Sequence, residues 1–108
     1  MAKYLIVNSR DLQEYSGSQF ILNLAGQLRK KRHEVTFFLI ENGVLSARKG
    51  SQFNTSLQTL SKEGTRVLAE DLSLKARGIS QMGEGISPSN MEELATLVMD
   101  GCDKVMWY

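Results

Sequence analysis

Cysteine is almost missing from this chain: Cys102 stands alone among 108 residues. A lone cysteine closes no internal disulfide and builds no zinc site, so neither a disulfide-stapled secreted scaffold nor a structural zinc module is expected. Long apolar runs are missing as well. The longest strongly apolar stretch, Val35 to Ile40, is interrupted by Thr36 and falls far short of the roughly 20 residues a membrane helix needs. No membrane role is expected. Met1-Ala2-Lys3 leads directly into a strand-like run, without the apolar segment and small-residue cleavage site of a secretory signal, which implies a cytoplasmic protein. Excess charge is lacking too. Thirteen basic against twelve acidic side chains leave a net charge of +1, and aromatic residues make up only 7% of the chain. That balance provides neither a polycationic footprint nor a base-stacking surface, and nucleic acid is not an expected ligand.

What is present has the size of one domain with one core, so residues 1–108 are expected to form a single unit without a linker. Tyr4 to Val7 is a continuous apolar run of the kind that suits a strand buried on both faces. Phe20, Ile21, Leu24, Ala25 and Leu28 then recur at helical spacing, and Arg29-Lys30-Lys31-Arg32 places positive charge where the helix dipole favours it. Val35 to Ile40 is β-branched and aromatic and predicts a second strand, closed by Asn42-Gly43. Phe53, Leu57 and Leu60 share one helical face, predicting a helix over about Gln52 to Glu63 with Gly64 as its left-handed cap.

Arg66 to Ala69 reads as a third strand, and Ser73 to Arg77 as a short helix stopped by Gly78. Ser80 to Ser87 carries little pattern. Ser87-Pro88-Ser89 reads as the opening of a helix, with Ser89 and Glu92 at capping-box spacing and Met91, Leu94, Ala95, Val98 and Met99 along one face. Gly101 ends it, and Lys104 to Tyr108 supplies the last strand. Strands alternating with helices imply parallel pairing through right-handed crossovers. The expected fold is α/β, a three-layer α/β/α sandwich on a mostly parallel sheet, flavodoxin-like and doubly wound. Ligands of such sheets settle beyond the carboxyl ends of the strands. The segments to weigh are therefore Ser9 to Ser18, Glu41 to Arg48 and Glu70 to Arg77.

The loop Ser9 to Ser18 ends in small hydroxyl residues before a helix, where free amides can hold an anion. It matches neither the phosphate loop with its lysine nor the GxGxxG fingerprint, and Asp11 and Glu14 repel phosphate. The plainer reading is a solvated loop with Ser16 or Ser18 as helix cap. A phospho-receiver domain is rejected: the first strand runs into Asn8-Ser9-Arg10 instead of clustered acids, and the expected lysine beyond the final strand is absent. Glu70 and Asp71 precede the short helix. They are suited to take a proton, to bind a cation or simply to cap that helix, with Arg77 as an ion-pair partner or an anion holder. His33, Cys102 and the methionines form no metal-binding pattern, and no cofactor is expected. Met91 and Met99 suit core or contact surface, and so do Trp107 and Tyr108.

The order from Tyr4-Leu5-Ile6-Val7 through Asn42-Gly43-Val44 and Arg77-Gly78-Ile79 to Asp103-Lys104-Val105-Met106-Trp107 resembles the DsrE/DsrF/DsrH-like family. That resemblance covers almost the whole chain and implies a compact α/β subunit that assembles as a homotrimer, a homohexamer or a complex with a paralogue. It also implies sulfur transfer through a cysteine that follows the third strand. Counting back from Arg77-Gly78-Ile79 places that cysteine on Glu70, and a carboxylate cannot carry a persulfide. The expectation is therefore a non-catalytic subunit or binding module related to sulfur-relay proteins. Its candidate pocket is formed by Ser9, Arg10, Asn42, Glu70, Asp71, Ser73 and Arg77. Two alternatives stay open: a sulfur carrier that uses Cys102 or the Glu70/Asp71 pair, and a flavodoxin-like nucleotide or flavin binder.

Overall fold

The computed structural model describes residues 1–108. Strands β1 (Lys3–Asn8), β2 (Glu34–Leu39), β3 (Arg66–Glu70), β4 (Ile86–Ser89) and β5 (Lys104–Trp107) form one sheet in the order β4-β3-β2-β1-β5. All four pairings are parallel. The connections are α1 (Ser18–Lys30), a 3-10 segment over Glu41–Ala47 followed by α2 (Asn54–Lys62), α3 (Asp71–Ala76), and α4 (Met91–Thr96) continued by one π-helical stretch over Leu97–Gly101. The expected α/β architecture with a parallel sheet is therefore the observed one.

Sheet order determines how the two faces are covered. From β1 to β4 each strand is laid down on the same side of its predecessor, so right-handed crossovers send α1, α2 and α3 to one face. There they bury a large core with Ile6, Phe37, Leu39, Val67 and Ala69 of the sheet and Ile21, Ala25, Leu57, Leu60 and Leu74 of the helices. The chain then crosses to the far side of β1, and only α4 and its π extension reach the second face. That core is small: Leu5, Val7, Phe38, Ile40 and Leu68 meet Leu94, with Leu97 and Cys102 packed at its margin. Leu5 and Val7 register with Val105 and Trp107 of β5, so those two side chains share the thinly covered face. Both are exposed.

Four expectations change. Ser87-Pro88-Ser89 does not open a helix but lies in β4, paired with Leu68, Ala69 and Glu70 of β3. Pro88 is tolerated because β4 is an edge strand and one side of it needs no ladder donor. The helix starts at Met91, and its cap is Asn90, whose side chain accepts the Glu93 amide at 2.8 Å. Ser89 instead donates its hydroxyl to the Glu93 carboxylate. The expected apolar stripe of this helix is mostly outside: Met91, Val98 and Met99 are exposed, and Leu94 alone is buried. Finally, neither Ser16 nor Ser18 caps α1. Gly17 occupies that position, and no side chain bonds to the helix start. Phe20 of α1 also points outward.

Candidate functional site

The carboxyl ends of β1, β2 and β3 lie side by side, and each delivers one part of the site. At the end of β1, the fully buried Asn8 shapes the following loop: its Nδ2 donates to the Arg10 carbonyl at 2.9 Å, and its Oδ1 accepts the Arg10 amide at 3.4 Å. The Asn8 carbonyl accepts the Ile40 amide at 3.0 Å. Gly43 passes directly over that carbonyl, where a β-carbon would stand 2.3 Å from the oxygen. The Asn42-Gly43 pair is thus required for close approach of two backbones. It does not mark a simple turn, since it lies inside the 3-10 segment.

An open cleft of about 360 Å³ lies here, lined by Ser9, Arg10, Asp11, Glu14, Tyr15, Ser16 and Asn42. The guanidinium of Arg10 lies 4.8 Å from the centre of the Tyr15 ring, a cation-π contact. Tyr15 folds back over Gly17, where a β-carbon would be 2.6 Å from its Cζ and Oη. Ser9 borders the cleft, but its hydroxyl is tied to the Tyr108 carbonyl at 2.8 Å.

The end of β3 forms a second arrangement. Glu70 is buried and caps α3: Oε2 accepts the Leu72 amide at 2.7 Å, and Oε1 accepts the Ser73 amide at 3.0 Å and the Ser73 hydroxyl at 2.5 Å. Burial pushes the Glu70 carboxyl up, but the Ser73 hydroxyl, the Leu72 amide, the neighbouring Asp71 side chain and the Ser73 amide together outweigh it and hold the group below the ordinary carboxylate value. Asp71 stays exposed and shares the Leu72 amide at 2.7 Å. The Ser73 hydroxyl also accepts the Glu41 amide at 2.9 Å. Glu41 has φ of 50°, a left-handed conformation uncommon for a residue with a β-carbon, and Ser73 helps hold it there.

Arg77 does not pair with Glu70 or Asp71, the partners that its sequence position suggests. Its Nε and Nη2 donate to Asn42 Oδ1 at 3.2 and 2.9 Å, its Nη1 donates to the Ser73 carbonyl at 3.2 Å, and Glu41 approaches Nη2 at 3.7 Å. The guanidinium therefore latches the end of α3 to the loop after β2. Of the seven expected pocket residues, Ser9, Arg10 and Asn42 line the cleft. Glu70, Ser73 and Arg77 form the adjoining network, which meets the cleft at Asn42, and the exposed Asp71 touches it only through the Leu72 amide that it shares with Glu70. Asp11, Glu14, Tyr15 and Ser16 also line the cleft. In the sequence Asp11 and Glu14 stand out only as phosphate-repelling residues, and the signal for Tyr15 is the small Gly17 two positions on.

His33 and Cys102 lie at the opposite, amino ends of the strands. His33 Nδ1 accepts the Ala2 amide at 3.0 Å, and the ring packs edge-on against Tyr4 at 5.0 Å. Burial raises the Cys102 thiol above its ordinary value, and the nearby Lys3 offsets only part of that. No group of three or more His, Cys, Asp or Glu side chains is placed to hold a metal ion, and no helix is long and apolar enough to cross a membrane.

The sequence model of the DsrE/DsrF-like family matches residues 2–108. The chain belongs to that family. Solved DsrE-like structures agree with the fold throughout: the ychN protein from E. coli is 26% identical, covers 100% of both chains and superposes with a TM-score of 0.86. Two proteins described as of unknown function show the same fold at lower identity. The one from Bacteroides thetaiotaomicron is 15% identical with a TM-score of 0.84, covering 99% of this chain and 95% of its own. The one from Methanobacterium thermoautotrophicum is 16% identical with a TM-score of 0.76, covering 98% and 99%. No curated protein matches the sequence closely enough to transfer a role. Family membership thus stands on the whole chain, and the site rests on its own geometry.

Proposed function

We propose that this DsrE-like protein is a non-catalytic subunit and binding module of the cytoplasm that recognises a small molecule or a partner at the cleft beyond β1 and β2. The observation that carries this reading is how Glu70 is used. Its carboxylate is spent on three hydrogen bonds within the first turn of α3, which leaves it a structural cap at the position where the family resemblance implies a sulfur-accepting cysteine. Cys102 does not replace that cysteine. It sits at the other end of the sheet, half-buried, with its thiol pushed toward the protonated form that neither attacks nor accepts sulfur.

Assembly belongs to the same proposal. Val105 and Trp107 on edge strand β5, with Val98 and Met99 beside the thin second core, are exposed apolar side chains, and grouped exposed apolar residues mark contact surfaces. They fit a homotrimer, a homohexamer or a complex with a DsrE-like paralogue.

The test is intact mass after exposure to polysulfide, with and without reductant, for wild type and Cys102→Ser. The expected result is no reductant-labile sulfur adduct on either protein. A labile adduct that disappears in Cys102→Ser makes the chain a sulfur carrier and removes the reading.

A further inference from the structure

Building on the reading that the cleft takes a small molecule, we propose that its ligand is a zwitterion, a free α-amino acid. Its carboxylate meets Arg10 and Asn42, and its ammonium meets Asp11 and Glu14. One cation and two carboxylates line this cavity within five positions of sequence, yet they do not pair with one another. The ion pairs of the protein are Lys3 with Glu34, Arg66 with Glu93 and Arg77 with Glu41. Arg10 rests its guanidinium on Tyr15, and its main chain is clamped on both sides by Asn8. Its five N–H donors have no acceptor in the protein.

Asn42 is oriented from behind. Both Arg77 bonds fall on its Oδ1, which leaves the Nδ2 donors unbonded at the cleft. Asp11 uses only Oδ1, for the Gln13 amide at 3.1 Å and the Ser46 hydroxyl at 3.5 Å, and Glu14 uses neither oxygen. The cavity therefore offers fixed donors and free acceptors that do not satisfy each other. A simple anion meets two carboxylates here, and a simple cation meets Arg10. A molecule with both charges engages both sets, and charge-assisted hydrogen bonds of this kind are the strong ones. Tyr15 is the one hydrophobic residue of the lining, and the cavity of about 360 Å³ falls within the range of small-molecule sites.

The test titrates glycine, L-alanine and L-glutamine into the full chain, following the Arg10 Nε–H, Asn42 side-chain amide and Tyr15 ring resonances by NMR. Propionate, methylammonium and adenosine monophosphate serve as controls that lack the zwitterion. At least one amino acid is expected to shift all three sets of resonances saturably at millimolar concentration, with every control about tenfold weaker or more. Arg10→Gln and Glu14→Gln are each expected to weaken that binding about tenfold or more, with thermal midpoints unchanged because both side chains lie on the surface. A control that saturates the same resonances as tightly as any amino acid overturns the zwitterion and leaves the binding-module reading standing. Silence of every probe overturns the zwitterion, while the binding-module reading stands or falls on its own sulfur-adduct test.

Discussion

Ser73 holds Glu70 and Glu41 with a single hydroxyl: it donates to the Glu70 carboxylate at 2.5 Å and accepts the Glu41 amide at 2.9 Å. The cap of α3 and the left-handed residue after β2 are thereby one unit. Ser73→Ala leaves a buried carboxylate short of a donor and a strained amide without its acceptor. It is expected to destabilise the protein by about 1–3 kcal/mol, read as a lower urea midpoint with an unchanged slope.

Glu70 also makes a pH prediction. Its folded-state carboxyl titrates below the ordinary value of 4.5, so its stabilising contribution is complete above that value and is lost as pH falls through the lower folded-state value. Glu70→Gln keeps an acceptor but not the charge. The stability gap between wild type and Glu70→Gln is expected to be constant near neutrality and to shrink as acidity increases below pH 4.5, measured by urea unfolding across a pH series. A gap independent of pH refutes the charged cap.

Gly43→Ala tests the close approach of the loop to β1. The new β-carbon has to avoid the Asn8 carbonyl 2.3 Å away, a backbone atom that already holds the Ile40 amide. Neither neighbour yields without losing that bond. The expected cost is about 1–3 kcal/mol, and Asn8 and Arg10 amide resonances shift along with the thermal midpoint. Ala at Gly26, which meets nothing within 4 Å, is the contrasting substitution and is expected to be neutral or stabilising.

Glu70→Cys asks whether the cradle suits a thiolate. The Leu72 and Ser73 amides and the Ser73 hydroxyl converge on this side chain, and such donors lower a thiol pKa. The variant is expected to react with iodoacetamide faster than Cys102 does and to gain a reductant-labile adduct with polysulfide. Equal slow alkylation of both thiols counts against the cradle.

The exposed apolar side chains of Val105, Trp107 and Met99 predict an assembly that a buried charge disrupts. Met99→Glu is expected to lower the molar mass measured by light scattering, while Phe20→Glu on the opposite face leaves it unchanged. A monomeric wild type disproves the assembly.

Much of the fold is legible in the order of the residues. β1, β2 and β3 are buried on both faces and read as mainly apolar runs, β2 with Thr36 inside it, and Ile21 to Leu28 keeps a helical period because one face meets the sheet. β4 is not legible in that way. Ile86-Ser87-Pro88-Ser89 has the composition of a helix start, and its strand geometry comes from pairing with β3. Local preference carries no record of that partner.

Local periodicity and residue identity suffice for the α/β class, the family, the loops at the ends of the first three strands and the presence of Glu70 where the resemblance implies cysteine. Two other properties come from tertiary packing: Arg77 binds Asn42 across 35 positions, and Arg10 faces a cleft without a partner. Each is a choice among several chemically suitable neighbours, and only the packing of distant segments selects which neighbour comes within hydrogen-bonding distance.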